Sequence, residues 1–293
     1  MRAAFTDKQM ENTLNRDGYV IVNFIEPDEL EEIKNTISEL GYGKDNEEKF
    51  RRSVNHESVA RKNEIYEKFN PVFQRAADRF LQDYKLLRVV IFDKLSGGGT
   101  TNVHQHPNLV DESKHIPLGA WMPIIATTVK MGTLHVVKGS HSVFNNYIRP
   151  YNDYSFFQSK LSYRVLRKYS TPLLLNAGQA VIFHERLIHW SPPNKSSINR
   201  TVIQLLLLPR ETATDLTFHY RVNNEELLKY QVNPKTYRET DLAHNIPDDL
   251  ILLGRIKQPR FSYDNRQFIA MMQGANPDCT KQKRNFFHRL FNL

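Results

Sequence analysis

The sequence predicts a mainly β fold with flanking helices, built around a double-stranded β-helix, or jelly-roll, core. Three observations predict it. Short apolar or alternating runs recur between Leu86 and Leu208, separated by Gly, Pro, Asn and Ser clusters, as in a sandwich or barrel of short strands. Helical periodicity is confined to the segments flanking that stretch. No linker or low-complexity run cuts the 293 residues in two. One domain is therefore expected, with an N-terminal helical part at 1–85, a jelly-roll core at about 86–210 and a helical, polar extension at 211–293.

The elements follow in chain order. Asp17-Gly-Tyr-Val-Ile-Val-Asn-Phe-Ile reads as a short strand after a turn. Pro27-Asp-Glu-Leu-Glu-Glu opens a helix, because proline suits its first turn and acids favour its positive end. Leu30, Ile33, Ile37 and Leu40 form its apolar stripe. Residues 41–60 are charged and read as loop. A second helix spans Asn63 to Tyr84, with Ile65, Phe69, Phe73, Ala76 and Phe80 on one side. The strand runs are Leu86–Phe92, Ala120–Ile125, Thr133–Val137, Pro172–Leu175, Ala180–Phe183 and Thr201–Leu208. Residues 143–170, aromatic and basic, read as an insertion or lid. Phe144, Tyr147, Tyr151, Tyr154, Phe156 and Phe157 either cover an apolar substrate or pack on the core, and Arg149, Lys160 and Arg164 suit an acidic group.

Composition narrows the function classes. Aromatic residues make up 11% and hydrophobic residues 40% of the chain, enough burial to exclude disorder for most of its length. A single cysteine, Cys279, excludes a disulfide framework and a cysteine-based metal cluster. No apolar run reaches the roughly 18 residues of a membrane span, and Met1 to Glu11 lacks the apolar core of a secretory signal. A cytoplasmic protein without a membrane role is expected. The net charge of +8 sits mostly in the tail, where residues 255–293 carry eight Lys/Arg against two Asp/Glu. That tail reads as solvated surface or an ordinary terminal helix, and no nucleic-acid motif accompanies it. The sequence carries no signal for an oligomeric state.

The chemistry-bearing residues are histidines. In Ser96-Gly-Gly-Gly-Thr-Thr-Asn-Val-His-Gln-His, His104 and His106 lie two apart after a glycine-rich loop. On a strand, residues i and i+2 share a face, so both imidazoles can reach one ion. His189 follows the strand Ala180–Phe183 and is a third candidate. Imidazole suits Fe, Zn, Cu and Ni, and three protein ligands leave open positions for catalysis. In His184-Glu-Arg-Leu-Ile-His189 the histidines are five apart, so the helical zinc-protease arrangement is discarded. His115, His135, His141 and His184 are read as structural or surface residues. Arg200 opens the last core strand, and a guanidinium facing a barrel interior needs an anionic partner.

Several ordered stretches resemble the phytanoyl-CoA dioxygenase family of Fe(II)- and 2-oxoglutarate-dependent oxygenases. Leu187-Ile-His-Trp-Ser-Pro-Pro-Asn-Lys-Ser-Ser-Ile-Asn-Arg200 resembles its distal motif. Asp17-Gly-Tyr-Val-Ile-Val resembles its N-terminal strand, and Gly178-Gln-Ala-Val-Ile-Phe the strand before the distal histidine. Trp121-Met-Pro-Ile and Met131-Gly-Thr-Leu-His-Val-Val-Lys-Gly-Ser-His resemble its central strands. The resemblance covers about residues 14–210. It implies a jelly-roll oxygenase with Fe(II) as metal, 2-oxoglutarate as cosubstrate, O2 and a small-molecule substrate. His104 and His189 are then iron ligands, Arg200 and Ser191 hold the 2-oxoglutarate C5 carboxylate, and Trp121 lines the cosubstrate pocket.

The sequence departs from the family at one ligand. Where the family has His-Gln-Asp, this chain has His104-Gln105-His106. Either His106 ligates and gives a three-histidine site, or Asp111 or Asp93 supplies the carboxylate, or the metal is lost and a pseudoenzyme remains. The first is the expectation, because imidazole is a competent ligand at the same position. The bulk of His106 argues against the chloride site of related halogenases. Three other readings compete. The spacing of Gly98, His104, His106 and Glu112 approaches a cupin motif, which makes a metal-dependent oxygenase without 2-oxoglutarate the alternative. A zinc hydrolase and a non-catalytic scaffold are the others. Arg200 discriminates, since only a dicarboxylate cosubstrate gives it a task.

Overall fold

The computed structural model describes residues 2–143, 147–153, 162–214, 216–244, 246–260 and 264–275. Helix α1 (Lys8–Asp17) is capped by Asp7, whose side chain accepts from the Met10 amide. It ends at Gly18, whose φ of 84° is a left-handed conformation that glycine adopts without strain. Strand β1 (Tyr19–Asn23) follows, then α2 (Pro27–Glu39), which starts at the expected proline behind a Glu26–Glu29 capping box. After β2 (Phe50–Arg52) comes α3 (Val59–Asp78). The helix expected to run to Tyr84 stops at Asp78, and a turn with Asp83 at φ 57° leads into β3 (Tyr84–Lys94).

The core strands continue with β4 (Thr101–His104), β5 (Leu118–Pro123) and β6 (His135–Val136). The short helices α4 (Ser140–Val143) and α5 (Tyr163–Tyr169) precede β7 (Thr171–Pro172), β8 (Gln179–His184), β9 (His189–Ser191) and β10 (Arg200–Pro209). Two antiparallel sheets result, with strand orders β1-β8-β5-β10-β3-β2 and β4-β9-β6-β7. This is the expected jelly-roll.

Strand alternation divides the burial. Ile203, Leu205 and Leu207 of β10, with Ile91, Ala120 and Ile182, face a core shared with Leu14, Ile33, Ile37, Ile65, Phe69 and Phe73 of the three N-terminal helices. The other face of the large sheet carries Trp121, Val181, Phe183 and Val202, which pack with Leu134 and Val136 of the small sheet. On β10 that face also holds Arg200 and Gln204, two polar side chains in a mainly apolar ten-residue strand. The chemistry is therefore confined to the space between the two sheets.

Beyond Pro209 the structure departs from the expected helical, polar extension. Strands β11 (Leu216–Arg221), β12 (Glu226–Val232) and β13 (Ile251–Lys257) form a third antiparallel sheet, with α6 (Pro234–Glu239) between the last two and α7 (Asn265–Ala275) after them. The reason is period-two alternation among polar residues. Leu216, Phe218 and Val232 share one face and are buried against Leu87, Leu109, Val110, Leu206 and Leu208, while the opposite face carries polar residues, of which His219 and Arg221 are also buried. The α7 residues Phe268 and Met272 pack on Val103, Ile188 and Trp190 behind the small sheet. No helix of the described residues is long and apolar enough to cross a membrane.

Of the expected lid residues, Phe144, Tyr154, Phe156, Phe157 and Lys160 lie outside the described residues, as does the basic stretch from Lys281. Tyr151 is core, with its ring 5.5 Å from that of Phe218. Arg149 is buried in an ion pair with Glu112.

Candidate metal centre

His104 closes β4 and His189 opens β9, and the antiparallel register sets them directly opposite each other. Their ring centroids are 4.2 Å apart. His106 lies two residues past His104, where the strand has ended, and its amide donates to the Glu185 carbonyl at 3.0 Å. That bond turns the His106 ring back toward the pair, 5.2 Å from the His104 centroid and 4.7 Å from that of His189. The candidate ligand atoms of the three residues all fall within 4.8 Å of one another.

The second ring nitrogen of each histidine fixes which atom faces the common point. His104 Nδ1 donates to Asn102 O at 2.7 Å and His189 Nδ1 to Leu187 O at 2.8 Å. A carbonyl can only accept, so both protons sit on Nδ1 and both Nε2 lone pairs are available to an ion. His106 Nδ1 lies 2.8 Å from Glu185 Oε1, a close contact off the ideal hydrogen-bond line. Burial, then the neighbouring His106, pulls the His104 pKa down to about 3. Burial likewise drives that of His189 well below the usual histidine range. Both rings are neutral at physiological pH, the state in which imidazole binds metal. Gln204, opposite Trp121 in the β10–β5 ladder, places its Nε2 3.2 Å from His106 Nε2.

An anion subsite adjoins the histidines. Ser191 is two residues beyond His189 on β9, so the two share a face. Ser191 Oγ lies 3.1 Å from Arg200 Nη1, and the Gly132 carbonyl accepts from both side chains. Arg200 is buried, its guanidinium carbon 5.4 Å from the Trp121 ring centroid. Among the described residues no carboxylate lies within ion-pair distance of it, and its Nε has no partner. Burial lowers its pKa to about 9. Directly opposite Arg200 in the β10–β3 ladder stands Lys94, fully buried. Its Nζ donates to Ser191 Oγ at 2.8 Å, Pro192 O at 3.0 Å and Ser191 O at 3.3 Å. Burial, then the adjacent Arg200 charge, lowers the Lys94 pKa to about 6. Lys94 therefore sheds its proton beside the Arg200 charge, and a bound anion would favour the protonated amine. A small dicarboxylate is such an anion, and the three histidines offer the nitrogen donor set of an iron site.

The sequence-predicted residues thus converge: His104, His106 and His189 at one point, and Arg200, Ser191 and Trp121 beside it. The alternative carboxylates do not. Asp93 is buried and bound by Arg51 Nη2 at 2.6 Å, Thr201 Oγ1 at 2.7 Å and the Gly43 amide at 3.0 Å. Asp111 is exposed and bonded to Ser113 and Lys114. Glu112, the acid of the cupin reading, is clamped by Arg149 and by Arg186 at 3.3 Å. The His135 ring packs tilted against Trp190 at 4.6 Å, and that of His141 against His184 at 5.5 Å. Sequence reasoning missed Glu185, Lys94 and Gln204. Gln204 and Lys94 carried a signal, as polar residues within or closing apolar strands. Glu185 lay inside the discarded His184-to-His189 motif.

Comparison with known proteins bears on the fold and the family. Three solved structures share the fold at low identity. EvdO2 from Micromonospora carbonacea var. aurantiaca, complexed with 2-oxoglutarate, matches at 15% identity with a TM-score of 0.50, over 71% of this chain and 94% of its own. The non-heme alpha ketoglutarate dependent carbocyclase SnoK from nogalamycin biosynthesis matches at 15% identity with a TM-score of 0.52, over 85% of this chain and 96% of its own. The epimerase SnoN of the same biosynthesis matches at 15% identity with a TM-score of 0.52, over 87% of this chain and 96% of its own. No curated protein matches by sequence. The family model for phytanoyl-CoA dioxygenase matches residues 14–202, which include all three histidines and Arg200. The chain belongs to the phytanoyl-CoA dioxygenase family.

Proposed function

We propose that this 2-oxoglutarate-dependent dioxygenase holds Fe(II) on His104, His106 and His189 and hydroxylates a C–H bond of a small organic substrate. The chemistry supplied when iron, 2-oxoglutarate and O2 are bound is oxidative decarboxylation, which yields succinate, CO2 and an oxidant for a substrate C–H bond. The protein's own residues bind, orient and desolvate. His104, His106 and His189 would hold the ion, and three protein ligands would leave positions open for cosubstrate and O2. Arg200 and Ser191 hold the C5 carboxylate, and Trp121 packs beside the guanidinium. Phe183, whose ring centroid is 5.9 Å from that of His106 and 5.0 Å from that of His189, keeps water from the imidazole faces.

One observation carries the reading. Arg200 is a buried guanidinium with an unpartnered Nε and no carboxylate beside it among the described residues, next to three convergent Nε2 atoms. A metal-only oxygenase or hydrolase gives that arginine nothing to do. EvdO2, on the same fold, carries 2-oxoglutarate. A cytoplasmic setting belongs to the same reading and is supported by the single cysteine.

The test is succinate release from 2-oxoglutarate by protein reconstituted anaerobically with Fe(II) and then exposed to O2. Release that needs both Fe(II) and His189 supports the assignment. Undiminished release by His189→Ala or Arg200→Ala contradicts it.

A further inference from the structure

Glu185 is a buried carboxylate without a counter-cation among the described residues. Its side chain is 5% exposed. Among the described residues no Lys or Arg lies within ion-pair distance of it, although Arg149 and Arg186 both pair with nearby Glu112. Among the described residues the basic group it meets is His106 Nδ1, at 2.8 Å. Burying a carboxylate this way is costly unless positive charge is near. An imidazole whose other nitrogen binds a divalent ion delivers that charge.

The backbone confirms that the contact is built. The Glu185 amide donates to Pro117 O at 3.2 Å, and its carbonyl accepts the His106 amide at 3.0 Å. The main-chain bond thus holds His106 where the Glu185 carboxylate stands 2.8 Å from its Nδ1. Gly119 on the neighbouring strand leaves the necessary space. A Cβ there would come within 2.7 Å of Glu185 Oε1 and 2.6 Å of Phe183 Cζ.

We propose that Glu185 is the positioning residue that replaces the missing ligand carboxylate at one remove. The family's Asp would bring its negative charge into the metal's own coordination sphere. Here the ligand is neutral His106, and the charge stands behind it, on the far nitrogen of the same ring. The site recovers the net charge of a two-histidine, one-carboxylate centre. The Glu185 carboxylate also stands against Nδ1, on the side of the ring away from Nε2. This rests on the reading of the three histidines as ligands and adds the residue that makes the third one work.

The test is metal affinity, read by anaerobic Co(II) titration of metal-free protein and of Fe(II) by competition, in a four-member cycle. The members are the unmodified chain, Glu185→Gln, His106→Asp and the double variant. Glu185→Gln retains size and an acceptor oxygen and removes only the charge. We expect it to weaken binding about 10- to 100-fold in the unmodified background. In the His106→Asp background a second carboxylate repels the new ligand, so Glu185→Gln is expected to leave affinity unchanged or to raise it. Equal losses in both backgrounds would mean that Glu185 merely packs, and would overturn the proposal. So would unaltered affinity in Glu185→Gln alone. An unmodified chain that binds no metal would instead sink the oxygenase reading itself, and this inference with it.

Discussion

His104 and His189 face each other across the β4–β9 ladder, one at the end of its strand and one at the start, with ring centroids 4.2 Å apart. Both protonate on Nδ1 and turn Nε2 inward, so the pair is set before any ion arrives. Metal binding should therefore stabilise the fold without rearranging it. At a free-ion concentration of 100 times Kd, the gain is about 2.7 kcal/mol. We expect Co(II) or Fe(II) to raise the melting temperature of the unmodified protein and to have no effect on His104→Ala or His189→Ala. The check is differential scanning fluorimetry, anaerobic for iron.

Arg200 should show opposite signs for stability and for function. Its guanidinium lacks a carboxylate partner among the described residues, so replacing it with an apolar residue of similar length removes a buried charge. Arg200→Met should melt no lower than the unmodified protein in the absence of cosubstrate. Losing one half of a buried charge pair costs about 2–5 kcal/mol. The KM for 2-oxoglutarate should thus rise at least about 30-fold. Thermal melts and steady-state succinate assays read the two effects separately.

Lys94 makes stability depend on pH. Its folded pKa is lowered to about 6 by burial and by Arg200, while an unfolded lysine titrates near about 10.4. Between these values the unfolded chain binds a proton that the folded chain lacks, so the Lys94 contribution destabilises less as pH rises through the window. Relative to Lys94→Met, the unmodified protein should gain stability as pH is raised from 6 to 9. The same logic makes cosubstrate binding couple to proton uptake, because a bound carboxylate favours the protonated amine. Affinity for 2-oxoglutarate should fall as pH rises above about 6, and the fall should vanish in Lys94→Met. Urea melts and calorimetric titrations in buffers of different ionisation enthalpy measure both.

Gly119 should tolerate no side chain. Gly119→Ala places a methyl against Glu185 Oε1 and the Phe183 ring. Displacing either disturbs His106, so metal affinity should drop at least as far as in Glu185→Gln, while an exposed control such as Gly99→Ala, whose Cβ meets open space, binds normally.

Much of this site was legible because its residues mark themselves locally. His104 and His106 follow a glycine-rich loop, and Arg200 begins an apolar strand, where a charge is conspicuous. The jelly-roll was legible from its short, well-separated strands. What stayed hidden depends on cross-strand register. Lys94 meets Arg200 only because β3 and β10 pair antiparallel in that frame. Glu185 reaches His106 only because the chain past β4 bonds back to the end of β8. The third sheet was hidden for another reason. One face of β11 and β12 carries enough polar residues to dilute the strand signal, and the apolar partners Leu87, Leu109 and Leu206 lie far away in sequence.

The most direct test of the whole account is a crystal structure of the protein with Fe(II) and 2-oxoglutarate, prepared without oxygen. One ion is expected at roughly 2.0–2.2 Å from Nε2 of His104, His106 and His189, with the cosubstrate's far carboxylate on Arg200 and Ser191. An ion held by two histidines with the His106 ring turned away, or 2-oxoglutarate bound apart from Arg200, would contradict it.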